Sequence, residues 1–391
     1  MSSLRIAQVA NFVGPTSGGM RTAVEALGAR YIAAGARRLL LTPGPSDTVE
    51  DTAAGTHVRL RSPKVSGGYR MIVEPWRVLP VLERFNPTSV EVSDKSTLLP
   101  LARWGRRRAV GCVLFSHERL DVMVALRTGW HPGVGAGIAG MNRWLSRLFD
   151  AVVVTSSFAA DEFGQAASAR LYRIPLGVDH SVFRPGVANP VRDGRLKLVH
   201  AGRLSREKSP DLAVATAVEL HRRGVPIRLD VYGQGSMLDQ LRRMAADAPV
   251  FFHGHVGGRP ALARCLSAAD IALSVCPGET FGLSILEALA CGTPVVTADR
   301  GGGRELVTAD SGAWGAPNAP ALADAVLRLA ERDEHARRRG ARCRAEQFDW
   351  ARTASSMLSV HERVGLARTA SRCRVPGGSR CDHPRASEPC C

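Results

Sequence analysis

The sequence predicts an α/β protein built from two doubly wound domains, and three observations predict it. The first is length: 391 residues exceed the roughly 100–200 typical of one domain. The second is alternation. Short apolar runs ending in Gly-rich or polar loops take turns with helical stretches, the pattern of βαβ units and parallel sheets. The third is punctuation: "IPLGVDHSVFRP" (174–185) interrupts the alternation with Pro, Gly and Asp, and a second set starts after it. Residues 1–180 and 190–347 are the two expected domains.

In the first set, "RIAQVANF" (5–12) reads as a buried strand. A Gly-rich turn follows and runs into a helix with Val24, Leu27 and Tyr31 at helical spacing. Further strands are expected at 89–94, 109–118 and 151–158. In the second set they are expected at 196–205, 227–236, 250–256, 271–277 and 294–302. A last helix is expected over 348–366. The remainder, 367–391, is rich in Pro, Gly, Ser, Arg and Cys without apolar periodicity and is expected to be disordered.

Composition narrows the function classes. No run of about 18 apolar residues occurs, so no transmembrane helix is expected. The N-terminus lacks the regions of a signal peptide, and an intracellular protein is expected. The formal net charge of +16 favours anionic partners: nucleic acid, an acidic membrane surface or phosphorylated ligands. Aromatic residues at 5% argue against single-strand stacking, and no helix-turn-helix, RNP or zinc pattern is found. A basic nucleic-acid-binding protein therefore survives only as an alternative resting on charge, and no nucleic-acid partner is expected. The nine cysteines form no pattern. Cys112, Cys265, Cys276, Cys291 and Cys343 read as small buried hydrophobes. The spacing of Cys381, His383, Cys390 and Cys391 matches no zinc site.

Ligands of such sheets bind at the carboxyl ends of strands, so the chemistry is sought in those loops. "CPGETFGLSILEALACGTPVV" (276–296) carries Glu279 in a loop and Glu287 on an apolar helix expected to start near Phe281. Two such carboxylates could be an acid/base pair, metal ligands, a cap plus a surface charge, or two fingers holding one ligand. Thr280 is positioned to cap the helix, and Gly292 with Pro294 to stop it. The free N–H groups of Phe281, Gly282 and Leu283 would form an anion site at the helix start. That arrangement suits a nucleotide sugar: sugar at Glu279, diphosphate at the helix start, ribose at Glu287. In "HAGRLSREKSPDL" (200–212), Arg203 and Lys208 follow a strand end and suit a diphosphate, while Arg206 and Glu207 read as solvated charges. Gly18 and Gly19 let a backbone approach a ligand at another helix start. The glycine pattern is neither a G-x-G-x-x-G nor a Walker loop.

Together these segments resemble the retaining GT-B glycosyltransferases of the family-4 type, from about Arg5 to Leu366. "IAQVANFVGPTSGGMRTAV", "VEVSDKSTL" and "SHERLD" look like the GDP-mannose-dependent α-mannosyltransferases of actinobacterial envelope glycolipid synthesis. The resemblance implies two Rossmann-like domains facing across a cleft, with the C-terminal helix crossing back to the N-terminal domain. It implies that the first domain takes the acceptor and the second the nucleotide sugar. Arg203 and Lys208 would hold the donor diphosphate, Glu279 the transferred sugar and Glu287 the ribose. Gly19 would let the backbone reach the phosphate, and His117 would sit beside the anomeric centre. No metal or other cofactor is implied, since the leaving diphosphate itself would take the acceptor proton in a front-face reaction. The base pocket would involve the loops after 232 and 254, and "DRGGGRE" (299–305) would shape the pocket rim. A donor carrying UDP is the alternative within the same fold.

The acceptor implied is a lipid, which places the protein peripherally on the inner face of the plasma membrane. Two segments would serve an anionic membrane surface. One has Leu98, Leu101 and Trp104 beside Arg103 and Arg106–Arg108. The other has Met141, Trp144, Leu145 and Leu148 opposite Arg143 and Arg147. The stretch 119–143, with Gly129 and Trp130, is expected to be a mobile acceptor loop.

Overall fold

A computed structural model of the chain describes residues 4–11, 13, 18–65, 69–122, 124, 132–164, 169–186 and 194–373. Two sheets organise it. The first contains β1 (Arg5–Val9), β2 (Arg37–Gly44), β3 (Thr48–Thr52), β4 (Gly55–Arg61), β5 (Ser89–Val92), β6 (Gly111–Ser116), β7 (Ala151–Val154) and β8 (Leu171–Arg173). Its spatial order is β3-β4-β2-β1-β5-β6-β7-β8. All of its pairs are parallel except the β3–β4 hairpin. The second sheet is wholly parallel. It contains β9 (Leu196–Ala201), β10 (Ile227–Tyr232), β11 (Val250–Gly254), β12 (Ile271–Ser274), β13 (Val295–Ala298) and β14 (Gly312–Gly315) in the order β11-β10-β9-β12-β13-β14.

Each order reverses beside its first strand: between β1 and β5 in one sheet, between β9 and β12 in the other. Loops leaving adjacent strands diverge there and leave a crevice, where ligands of open α/β sheets bind. The loops after β9 and β12 are the ones carrying Lys208 and Glu279.

The helix Gly19–Ala33 buries Ala23, Val24, Leu27 and Tyr31 on the first sheet. The apolar stripes of Pro100–Arg108 and Pro132–Leu148 are mostly spent in the core. Leu98, Leu101 and Leu145 are fully buried, and Trp104 and Met141 pack against that cluster. The arginine-flanked face expected to meet a membrane therefore packs on the sheet instead, and Trp144, 42% exposed, is what it leaves in solvent. Arg106 is tied to the carbonyls of Arg147 and Leu148, closing the end of the longer helix. Residues 132–143, read from sequence as part of a mobile loop, belong to that helix. Gly129 and Trp130 lie outside the described residues.

The chain crosses between domains twice at one place. Val178 N–H donates to the Phe348 carbonyl at 3.2 Å, Val178 and Asp349 form an isolated parallel bridge, and Thr353 Oγ1 donates to the Pro175 carbonyl at 2.9 Å. A side chain at Gly177 would start 2.2 Å from the Trp350 nitrogen, so only glycine passes there.

The final helix, Trp350–Cys373, returns along the first domain. Its His361 is fully buried, with Nδ1 2.9 Å from Ser89 Oγ and Nε2 3.2 Å from Glu91. Glu91 also accepts from Gln8 Nε2 at 2.9 Å and from the Tyr31 hydroxyl at 3.1 Å. Arg368 closes the far end on Asp150. The helix thus runs past Leu366, where the sequence pattern ended. The rest of the expected tail, with Cys381, His383, Cys390 and Cys391, lies outside the described residues. One apolar cluster runs from Ile6, Leu27 and Phe115 through Leu176 and Phe183 to Ile285, Leu289 and Trp350, joining both domains.

Candidate functional site

The site is assembled from four loops. After β9, Gly202–Ser205 leads into a short 3₁₀ turn, Arg206–Lys208. Ser209 takes a left-handed conformation (φ 47°) and starts the helix Pro210–Arg222. The turn projects Lys208 towards the loop after β12, where its Nζ donates to Glu279 Oε2 at 2.7 Å. Cys276 binds the same turn from behind, its thiol 3.2 Å from the Glu207 carbonyl. Glu207 does not act as a solvated charge: it accepts from Ser205 Oγ at 2.7 Å and from Arg203 at 3.2 Å. Arg203 reaches across to Tyr69 of the first domain, its guanidinium 5.5 Å from the ring centre.

The helix carrying Glu287 spans Leu283–Ala290 and is entered through Gly282, which is left-handed at φ 102°. It therefore begins two residues later than the sequence pattern suggested. Thr280 does not cap it, because its hydroxyl donates to the His117 carbonyl of the first domain at 2.9 Å. Phe281 turns its ring into the core against Phe348, with ring centres 6.4 Å apart, so only its backbone faces outward. The helix ends at Gly292, left-handed at φ 74°, as expected of a C-terminal glycine.

Across the cleft, Gly18 is the last residue before the helix Gly19–Ala33. A Cβ on Gly19 would lie 3.3 Å from Leu283 Cδ1. The starts of two helices, one from each domain, thus face each other, and each carries a partial positive charge. Beside them, the His117 ring packs at a 41° tilt on Phe115 with centres 4.1 Å apart, and its buried Nε2 has no hydrogen-bond partner among the described residues. Burial pulls the imidazole down to about 4, with Lys95 adding to the effect and Glu91 opposing it. Glu287 has no partner for its carboxylate among the described residues. Burial pushes it up to about 7, opposed by Arg259.

The rim segment 299–305 fixes the domains together. Glu305 accepts from the N–H groups of Ser157 and Phe158 at 2.9 and 2.7 Å, at the start of the helix Ser157–Asp161 in the other domain. Ser156 Oγ donates to the Thr280 carbonyl. Gly302 N–H donates to the Glu279 carbonyl at 2.6 Å. A Cβ at Gly302 would sit 2.1 Å from the Thr280 oxygen, so glycine is required for this close approach.

The structure thus brings His117, Arg203, Lys208, Glu279, Gly19, Gly282 and Leu283 to one cleft between the sheets. Glu287 lies one helical turn beyond Leu283 on the same half-buried face. Sequence reading missed Tyr69, Ser156 and Glu207, and left Glu305 without a role. Tyr69, Ser156 and Glu305 act through contacts across the domains that no local pattern announces, whereas Glu207 pairs with its sequence neighbours Ser205 and Arg203. Among the described residues no group of three or more His, Cys, Asp or Glu side chains could hold a metal ion. No helix among them is long and apolar enough to cross a membrane.

Two family models match the chain: "Glycosyl transferase 4-like domain" over residues 18–177 and "Glycosyl transferases group 1" over 187–346. The chain is 40% identical over 384 residues to a GDP-mannose-dependent alpha-(1-6)-phosphatidylinositol dimannoside mannosyltransferase of Mycobacterium tuberculosis, spanning 95% of this chain and 98% of that protein. It is 31% identical over 300 residues to a D-inositol 3-phosphate glycosyltransferase of Saccharomonospora viridis, spanning 68% of this chain and 66% of that one. Among solved structures, sucrose-phosphate synthase from Thermosynechococcus elongatus superimposes with a TM-score of 0.75 at 22% identity, covering 93% of this chain and all of that one. The trehalose-6-phosphate synthase OtsA gives a TM-score of 0.70 at 14% identity, covering 92% and 99%. At these identities the likeness is one of GT-B fold.

Proposed function

The chain belongs to the group 1 glycosyltransferases and transfers a sugar, and from that premise we propose that it moves mannose from GDP-mannose to a mannosylated phosphatidylinositol. The observation that carries the reading is the Lys208–Glu279 pair at the mouth of two facing helix starts. A nucleoside diphosphate sugar fits such a place. Its diphosphate takes the positive charge of Lys208, Arg203 and the N–H groups at Gly282–Leu283, and its sugar lies against Glu279. The identity with a GDP-mannose-dependent enzyme along almost the whole of both chains favours mannose and a phosphatidylinositol-based lipid.

The reaction proceeds with retention. The acceptor hydroxyl approaches the anomeric carbon from the face on which the diphosphate departs, and a phosphate oxygen takes its proton. The protein's work is positioning and charge stabilisation. Lys208 and Arg203 stabilise the charge that grows on the leaving group, so the reading calls for no metal ion. Glu279 orients the sugar, and His117, kept neutral by its burial, lies beside the anomeric centre. Glu287, once ionised, accepts from the ribose hydroxyls. A lipid acceptor implies work at the cytoplasmic face of the membrane, with Trp144 exposed on the acceptor domain.

The test is transfer by the purified protein to a phosphatidylinositol mannoside extract, with GDP-mannose, UDP-glucose and UDP-N-acetylglucosamine in parallel. Turnover of GDP-mannose alone, abolished in Glu279→Ala, supports the reading. Turnover of a UDP-sugar instead moves the protein to another donor.

A further inference from the structure

The residues just after β6, 117–121, are held at several polar groups. His117 gives its carbonyl to Thr280. The carbonyl of Glu118 accepts from Lys95 Nζ at 2.7 Å and from Ser116 Oγ at 3.3 Å. The N–H of Leu120 donates to Glu162. Arg119 is paired with Asp121 and donates to the Phe158 carbonyl at 2.6 Å. Behind these contacts lies an ion pair out of solvent: Lys95 Nζ is 2.6 Å from Glu162 Oε2, with side chains 8% and 1% exposed. A pair so buried is expensive to desolvate, and its geometry is spent on fixing this one stretch of backbone.

The Glu118 side chain has no partner among the described residues, and it is exposed. It lies in the cleft, on the acceptor side. Its neighbour His117 touches Thr280, and the nearby Val122 would meet a Cβ on Gly278 at 2.8 Å. The surrounding protein pushes its carboxyl up, while Lys95, Lys208 and Arg203 pull it down, so it shares the field of the cations assigned to the donor.

We propose that Glu118 is the carboxylate that holds the acceptor, accepting hydrogen bonds from hydroxyls of the sugar or polyol ring that receives the transferred residue. The two oxygens of one carboxylate on a fixed stretch of backbone match a pair of neighbouring hydroxyls, and charge-assisted hydrogen bonds are the strong ones. An acceptor phosphate is repelled at this point. The ring bearing the reacting hydroxyl therefore faces Glu118, and any lipid phosphate lies away from it. The assignment rests on the sugar-transfer reading above.

The experiment measures acceptor KM, donor KM and acceptor-independent hydrolysis of GDP-mannose for the wild type, Glu118→Gln and Glu118→Ala, using phosphatidylinositol mannosides in detergent. A rise of about tenfold or more in acceptor KM for Glu118→Ala is expected, corresponding to loss of a charge-assisted hydrogen bond. Donor KM and hydrolysis should stay within about twofold, and melting temperature should not change, because the side chain holds nothing in the free protein. A smaller rise is expected for Glu118→Gln, whose carboxamide still accepts. An unchanged acceptor KM overturns the assignment, and so does a loss confined to donor KM. A wild type that moves no mannose sinks the donor reading and this assignment with it. A wild type that does, beside a Glu118→Ala enzyme with normal acceptor KM, sinks this assignment alone.

Discussion

Lys208 and Glu279 neutralise each other at 2.7 Å in the free protein, so a diphosphate bound as proposed would share that lysine with the carboxylate. The ammonium has three donors and can hold both. Lys208→Ala should therefore lower kcat/KM for transfer about 10²–10³-fold and weaken GDP binding, measured by titration calorimetry. Glu279→Gln releases the lysine, so GDP should bind at least as tightly while kcat falls. Glu287 gives a pH prediction. Its folded pKa, about 7, lies above the ordinary carboxyl value of roughly 4.3, so the neutral form favours folding. That contribution is complete below the ordinary carboxyl range and is lost as pH climbs towards 7. Glu287→Gln should thus match the wild type in melting temperature at pH 4 and exceed it at pH 8. Donor KM of the wild type should fall as pH rises through about 7, and the variant should lose this dependence. Lys208 and Glu279 were legible because each sits in a loop after a strand, at the edge of a crevice, and Glu287 because it lies one turn into the helix that follows. Glu118 and Glu305 were not, because in sequence each is one acid among ordinary charged residues: Glu305 gains its meaning from N–H groups 147 and 148 positions away, and Glu118 from the cleft that folding builds around it.

Between elements, the cleft is closed by contacts that cross it at fixed points. Glu305 serves two N–H groups of a short helix in the other domain, and Gly302 lets that loop lie against Thr280. Gly302→Ala has no room to relax, since the obstacle is backbone. It should raise donor KM and lower melting temperature together. Glu305→Gln keeps the shape but weakens a charge-assisted cap of the kind that typically contributes about 1 kcal/mol, so a smaller effect on both is expected. Strand alternation announced β1, β5 to β7 and β9 to β13 well, to within a few residues at their ends. It passed over β3, whose Thr48–Thr52 run is polar and exposed, and β14, four residues bounded by glycines. The three leucines of β2 were a fair signal, obscured by Pro43 and Gly44 in the same strand. The amphipathic segments around Trp104 and Trp144 show the opposite failure: period gives the apolar face of a helix but not what covers it.

Across the whole molecule, the last helix makes the first domain dependent on the end of the chain. Glu91 is buried with three donors, one of them His361. Removing one partner of such a buried charge typically costs about 3–5 kcal/mol. His361→Leu should therefore shift the urea midpoint of the first domain strongly while leaving the second domain's transition in place, followed by Trp350 and Trp314 fluorescence in separate variants. Two domains and a returning helix could be read from the alternation, the linker and the family resemblance. That the two crossings touch could not, because Val178 and Asp349 are 171 positions apart in sequence (349 − 178). Their adjacency has a topological meaning. The chain leaves the first domain at Val178 and re-enters it at Asp349, two residues paired as strand neighbours, which lie roughly 5 Å apart. The second domain is therefore an insert, a cassette spliced into one turn of an otherwise continuous fold. A short turn joining 178 directly to 349 would span the gap, yielding a first domain complete with its last helix and a separable cassette whose own ends already meet.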